Sequence, residues 1–165
     1  MNYLIRNVSL DDSQAILDIY TPYITDSCIT FETEVPTLYD FKNRIKNITK
    51  SNPYIVYVED EKVLGYAYAS KYKDRAAYVY TVESSIYVDI NSTGKNIGKL
   101  LYSELLERLK KQNINSVYAC ITLPNDRSIK LHKNFGFNEI GIFKEAGFKF
   151  NKWLDIVWYQ KQLRK

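Results

Sequence analysis

Two cysteines and one histidine are all that this 165-residue sequence contains of those types. Cys28 and Cys120 stand far apart, form no Cys-x-x-Cys pair and have no neighbouring histidine. Neither a zinc centre nor a redox dithiol is therefore expected, no metal is assigned, and both residues read as reduced core thiols. Long apolar runs are also missing, so no segment is expected to cross a bilayer. The opening Met1-Asn2-Tyr3-Leu4-Ile5-Arg6-Asn7 is too short in apolar residues for a secretory leader. A cytoplasmic protein without a membrane partner is the expectation. Two nucleotide signatures are absent as well: no turn ends in the Gly-Lys-Ser/Thr of a P-loop, and no Gly-x-Gly-x-x-Gly follows a first strand.

Charge of one sign is only mildly in excess. The net charge is +4, the basic residues are scattered, and several fall in the tail Lys161 to Lys165. No nucleic-acid motif accompanies them, so no nucleic-acid partner is expected. Ordinary surface solubility accounts for such a balance, and so does a small phosphorylated ligand, which needs two or three cations with backbone amides.

What is present is the composition of an ordinary globular chain, 45% hydrophobic and 25% charged. A chain of this length buries roughly 70% of its unfolded surface. No repeat, low-complexity linker or composition break divides it, and residues 1–165 read as one domain. The 15 tyrosines suit strands, half-buried core positions and pocket walls.

Along the chain, Tyr3 to Val8 predicts a strand, and Ser9-Leu10-Asp11-Asp12 is a cap-like start for a helix ending near Pro22 to Thr25. Thr37-Leu38-Tyr39-Asp40 opens a second helix carrying Phe41, Ile45 and Ile48, stopped by Pro53. A hairpin follows, Tyr54 to Val58 and Val63 to Ala69 across a polar turn, and then a long β segment from about Tyr78 to Val88. Ile97, Leu100, Leu101, Leu105 and Leu109 trace one helical face. Ser116 to Thr122 is a strand, Pro124-Asn125 opens a short helix that Gly136 can end in a left-handed cap, and strands from about Asn138 to Glu145 and Leu154 to Gln160 close the chain. Helices alternate with hairpins about one mixed sheet, an α/β (α+β mixed-sheet) arrangement.

The segment Thr93-Gly94-Lys95-Asn96-Ile97-Gly98-Lys99 lies between a strand and a helix whose first amides lack intrahelical acceptors. Gly94 and Gly98 permit close approach of a ligand, and Asn96 tolerates left-handed backbone angles. Lys95 and Lys99 add positive charge to a helix end that already favours anions. Spacing alone leaves two readings open, a simple turn and an anion site.

This turn resembles the cofactor motif of the GCN5-related N-acetyltransferases (GNAT), Gln/Arg-x-x-Gly-x-Gly/Ala. Gly94, Lys95, Ile97 and Gly98 agree, while Thr93 replaces Gln or Arg and Asn96 replaces Gly. The resemblance extends over most of the chain and is closer to the phosphinothricin and methionine-sulfoximine acetyltransferase branch. It is carried by Ile29 to Glu34, Asp74 to Tyr78, Tyr80 to Val88, Asn125 to Phe137 and Lys149 to Asp155. The resemblance implies a GNAT fold, with a central, mostly antiparallel twisted sheet flanked by helices. It also implies acetyl-CoA as donor, a small-molecule amine as acceptor, and a homodimer.

Acetyl transfer to nitrogen needs a neutral amine, a positioned thioester and a proton for the leaving thiolate. An alkyl amine of ordinary pKa is mostly protonated at neutral pH, and neutralising it costs roughly 4 to 5 kcal/mol, so a nearby base is valuable. Glu83 lies within a long apolar strand, where a carboxylate is either solvated at a cleft or paired, and the resemblance implies that it is the base. His132 is implied as acid or cofactor contact, although a lone histidine is usually structural. The resemblance further implies that the backbone of Ile86, Tyr87 and Val88 pairs with the pantetheine arm, with Asn125 and Ser128 beside it; plain helix capping explains the last two equally well. For the acceptor it nominates Phe31, Glu32, Arg75, Ala76, Ala77, Tyr78 and Lys149. Arg75 offers a forked cation to a carboxylate or phosphinate, or is a solvated loop charge. Competing acceptors are a polyamine, an aminoglycoside or a protein N-terminus, and the competing class is an acyl-CoA-binding regulator without turnover.

Overall fold

The computed structural model describes residues 3–164. The strands are β1 (Tyr3–Asn7), β2 (Tyr54–Glu59), β3 (Lys62–Lys71), β4 (Thr81–Val88), β5 (Ser116–Thr122), β6 (Asn138–Lys149) and β7 (Lys152–Gln162). The helices are α1 (Ser13–Thr25), α2 (Leu38–Thr49), α3 (Ile97–Lys111) and α4 (Asp126–Asn134). Sequence alternation explains the layers. In β2, Ile55 and Tyr57 point to one side and join α3 and α4, whereas Tyr54 and Val56 point to the other and join α1 and α2. Ala67 and Ala69 of β3 sort to the α3 side and Tyr66 to the α1 side by the same rule.

The seven strands form one sheet in the order β1-β2-β3-β4-β5-β7-β6. Every neighbouring pair is antiparallel except β4 and β5, which run parallel and are joined through α3. A parallel pair needs a crossover of this kind, because no hairpin can return the chain in the same direction. The parallel pairing is short: Thr81 meets Ser116, Val82 meets Val117, and Glu83 meets Tyr118. Beyond that point β4 continues to Val88, still paired with β3, and β5 continues to Thr122, still paired with β7, but the two are no longer paired with each other. The sheet is forked there.

The local signals hold at most boundaries. Ser9 and Asp12 form a reciprocal capping box, and the Thr37 hydroxyl accepts from the Asp40 amide at 3.1 Å. Gly136 follows α4 with φ of +76°. Two segments differ from expectation. Residues 76–78 form a 3-10 turn, with the Tyr78 amide bonded to the Arg75 carbonyl, so β4 begins at Thr81 instead of near Tyr78. The closing strands are longer than their pattern predicts, because β6 and β7 continue to a tight turn at Phe150 and Asn151, both with positive φ. Their outer residues are exposed and aromatic, so they carry no in-out alternation to mark them as strand.

The helix α3 locks the fork from one side. Leu101, Leu105 and Leu109 are fully buried, each contributing about 1.5–3 kcal/mol of apolar burial. Its first turn lies against β3 at Gly65, where an added Cβ would stand 3.1 Å from Ile97 Cγ2 and Leu101 Cδ1 and 3.2 Å from the Tyr87 carbonyl. Gly65→Ala is therefore expected to destabilise the fold by about 1–3 kcal/mol through overpacking, read as a lower urea midpoint with an unchanged slope.

Candidate active site

Glu83 stands at the apex of the fork, as the last residue of β4 paired with β5. Its neighbour Ser84 points to the opposite face, is buried, and closes the apex: its hydroxyl donates to the Tyr118 carbonyl at 3.3 Å and lies 2.7 Å from the Tyr102 hydroxyl of α3. Beyond Ser84 the β5-facing edge of β4 has no strand partner. Such an edge can accept an extended ligand as an added strand.

The first turn of α3 lies close to the far arm of the fork. A Cβ added to Gly98 would meet Ile86 Cδ1 and Val88 Cγ2 at 3.8 Å. Asn96 precedes the helix with φ of +63°, a left-handed conformation that Gly and Asn adopt most readily, and Gly94 has φ of +88°. Asn96 thus performs the backbone task of a glycine. No side chain caps the helix and no acidic residue stands in its first turn, so the leading amides remain available to an anion, with Lys95 and Lys99 exposed nearby. Thr93 is engaged within the turn, its hydroxyl donating to the Ile90 carbonyl at 3.1 Å. The residues present therefore fit a diphosphate held by amides and lysines.

Glu83 is half-buried and has no hydrogen-bond or ion-pair partner among the described residues. Burial pushes its carboxyl above the usual range. Strand register places Ser70, Tyr118, Cys120 and Trp158 on the same face as Glu83. The Cys120 thiol reaches solvent, yet the atoms crowding the sulfur and then the charge of Glu83 push it up to about 12, which keeps it protonated. Tyr72 stacks on Tyr118 with centroids 4.8 Å apart, and Trp158 meets both rings edge-on. Towards α1 and α2 the same face carries Tyr68, pushed up by burial and by the charges of Glu83 and Glu32.

The acceptor candidates fall into three groups. Glu32 is brought towards this face: it accepts from the Tyr20 hydroxyl at 2.6 Å and pairs with Arg44 at 2.6 Å, beside a cavity of about 40 Å³ lined also by Tyr54, Tyr66 and Tyr68. Arg75, Ala76 and Ala77 are exposed on the loop that precedes β4, and Tyr78 packs on Tyr72 at 5.5 Å, which seats that loop above Tyr118. Phe31 and Lys149 are placed elsewhere: the Phe31 ring rests on β6, and Lys149 is 3% exposed with its ammonium donating to the Thr30 carbonyl at 2.8 Å. Burial lowers the Lys149 pKa.

His132 is 3% exposed, inside a box made by Tyr102, Phe137 and Tyr159. Its Nδ1 lies 2.7 Å from the Ser128 carbonyl, and burial lowers its pKa. A neutral ring that donates through Nδ1 presents only a lone pair at Nε2. Asn125 caps α4 by accepting from the Ser128 amide at 3.2 Å. Among the described residues no group of three or more His, Cys, Asp or Glu side chains is arranged to hold a metal ion.

Tyr68, Tyr118 and Trp158 on the Glu83 face were not singled out from sequence, and Cys120, read there as a core thiol, was not placed on this face. The available signal was the period of two along β5 starting from the residue opposite Glu83, but the pairing register was needed to apply it.

Comparison with known proteins agrees with this geometry. The family model described as acetyltransferase (GNAT) domain matches residues 5–158. A phosphinothricin N-acetyltransferase of Streptomyces coelicolor is 34% identical over 93% of this chain and 92% of its own. An L-methionine sulfoximine/L-methionine sulfone acetyltransferase of Pseudomonas paraeruginosa is 31% identical over 99% of this chain and 96% of its own. Among solved structures, the GNAT phosphinothricin acetyltransferase of Sinorhizobium meliloti in complex with acetyl-CoA superposes with a TM-score of 0.94. It is 35% identical and covers 98% of this chain and 89% of that one. The forked sheet, the open helix end behind it and this breadth of similarity together place the chain in the GNAT acetyltransferase family.

Proposed function

We propose that the chain transfers the acetyl group of acetyl-CoA to the amino group of a small amino acid or analogue, of the phosphinothricin, methionine sulfoximine or methionine sulfone kind. The observation that carries the reading is the fork with an unpartnered, half-buried carboxylate at its apex. The named activities of the relatives support the acceptor class, and the acetyl-CoA-bound relative supports the donor. Acetyl-CoA supplies the activated thioester. The β4 edge from Ser84 to Val88 pairs with its extended arm, and the amides of residues 94–99 with Lys95 and Lys99 hold its diphosphate. Glu83 takes the proton of the acceptor ammonium, which frees the nitrogen lone pair for attack on the thioester carbonyl carbon; the C–N bond forms, the C–S bond breaks, and the coenzyme A thiolate leaves with the second proton shed by the nitrogen. The raised pKa of Glu83 makes it a stronger base than an exposed carboxylate. Arg75 holds the acidic end of the acceptor, with Glu32 and the tyrosine face as the opposite wall. His132 keeps Tyr102, and through it Ser84, in place behind the apex.

The protein acts as one domain over residues 1–165, in the cytoplasm. No helix among the described residues is long and apolar enough to cross a membrane. It functions as a homodimer through the exposed aromatic tip of the β6–β7 hairpin, where Phe148 and Trp153 pair across the strands with centroids 5.0 Å apart and are both more than half exposed.

Thiol release from acetyl-CoA across amino acids, their sulfone and phosphinate analogues, polyamines and aminoglycosides tests the acceptor class, and turnover confined to polyamines would overturn it. Glu83→Gln is expected to lower turnover at neutral pH about a hundredfold and to abolish the acidic limb of the acceptor kcat/KM profile, which in the wild type lies above the ordinary carboxylate range. The same variant carries a stability signature. Folding raises the Glu83 pKa, so the native state is penalised progressively as pH rises from the unfolded value to the folded one, and by a constant amount above both. Glu83→Gln should melt higher than wild type at pH 8 and lose that advantage near pH 3. His132→Phe should keep most turnover, since the ring packs instead of donating; a loss as large as that of Glu83→Gln would restore the acid role. Trp153→Asp is expected to convert a dimer to a monomer by light scattering.

A further inference from the structure

The loop between α1 and α2 carries Phe31 and Glu32 and is fastened from two directions. From the helices, the Tyr20 hydroxyl contacts Thr30 Oγ1 at 2.7 Å and Glu32 at 2.6 Å, and Arg44 pairs with Glu32. From the other side of the fork, Lys149 of β6 donates to the Thr30 carbonyl at 2.8 Å and the Thr122 hydroxyl of β5 donates to the Ile29 carbonyl at 3.4 Å. Between these tethers the Phe31 ring lies directly over Gly147 of β6. A Cβ added there would be 2.3 Å from Phe31 Cε2, 2.5 Å from Cζ and 2.7 Å from Cδ2. The ring therefore fills the volume of the side chain that residue 147 lacks.

Backbone conformation does not explain this glycine. Gly94 and Gly136 have φ of +88° and +76°, whereas Gly147 lies outside the left-handed region and could be alanine without backbone strain. Gly141 on the same strand has no neighbour within 4 Å of an added Cβ, so close approach is particular to residue 147. Phe31 and Glu32 are consecutive, one seated on β6 and the other directed to Tyr20 and Arg44, so the seat of the ring fixes where the carboxylate stands.

We infer that Gly147 is a positioning residue for the acceptor: its missing side chain lets Phe31 dock on β6, which sets the place of Glu32 on the Glu83 face. The inference rests on the proposed reading of this loop as acceptor-binding. It also makes the β6–β7 hairpin, at the opposite end of the sheet order from α1 and α2, a wall of acceptor specificity.

The test is steady-state kinetics of Gly147→Ala, varying acetyl-CoA and, as acceptors, L-methionine sulfone and phosphinothricin. The acceptor KM should rise about tenfold, with kcat and the acetyl-CoA KM changed less than about twofold, because a displacement of about 1 Å is felt mainly by the partner it misplaces. Gly141→Ala should match wild type. In a double-mutant cycle, adding Gly147→Ala to Phe31→Ala should have no further effect on the acceptor KM. A folded Gly147→Ala with unmoved acceptor KM, or with both KM values raised equally, overturns the inference. Hydrogen exchange of the wild type keeps the question decidable should the variant fail to fold. Saturating acceptor should protect residues 29–33 and 145–149 together, and protection confined to 29–33 counts against the coupling. Wild type inactive towards every amine sinks the transferase reading, an outcome distinct from active wild type with an indifferent Gly147→Ala.

Discussion

The end of pairing between β4 and β5 at Glu83 and Tyr118 is the constraint on which the rest of the structure depends. Both strands remain paired on their outer sides, so opening the inner edge leaves the sheet intact while exposing an unpartnered stretch of backbone. Exposed strand edges invite pairing with another chain. Here the edge lies inside the sheet and is backed by the first turn of α3. Ser84, Tyr118 and Tyr102 close the apex on the helix side, so the fork has a fixed depth.

That arrangement fixes the electrostatics. Glu83 is the point where the free edge begins, and it faces the tyrosine side of the sheet, away from the leucines of α3. Half-buried and unpaired, its carboxylate is held in an unfavourable state that folding elsewhere must offset. Such local cost is common where a group has a chemical task. The raised Cys120 and Tyr68 pKa values share the same origin: low solvation and the nearby negative charge of Glu83.

The Glu83 face is bordered by distant pieces of the chain. The loop after α1, the loop before β4 and the β6–β7 hairpin all reach the Glu83 face or the elements that border it. Their tethers combine hydrogen bonds to backbone carbonyls, ring packing and the Arg44–Glu32 ion pair. Lys149, a cation nominated for the acceptor, is buried and donates to the Thr30 carbonyl.

Local chemistry written in consecutive residues was legible without coordinates. The capping residues Ser9 and Thr37, the apolar face of α3, the left-handed cap at Gly136 and the αL position at Asn96 each depend on neighbours a few positions away. For the same reason the unit from Glu83 to Lys111 was recognisable as strand, turn and helix. Whether Glu83 was a solvated surface group or a half-buried carboxylate without a partner depended on where two strands separate, which no spacing encodes. The aromatic box around His132, the tether from Lys149 and the seat of Phe31 on Gly147 join residues as many as 119 positions apart. The strand pattern of β6 faded where its outer residues became exposed and aromatic, and with it the hairpin's reach to the loop. By itself the sequence determined the elements and the chemical types available to them, because those follow from short-range backbone and side-chain preferences. Tertiary structure alone decided the fork, the half-buried state of Glu83 and the loops that border its face, because these arise from register and packing between segments that meet only after folding.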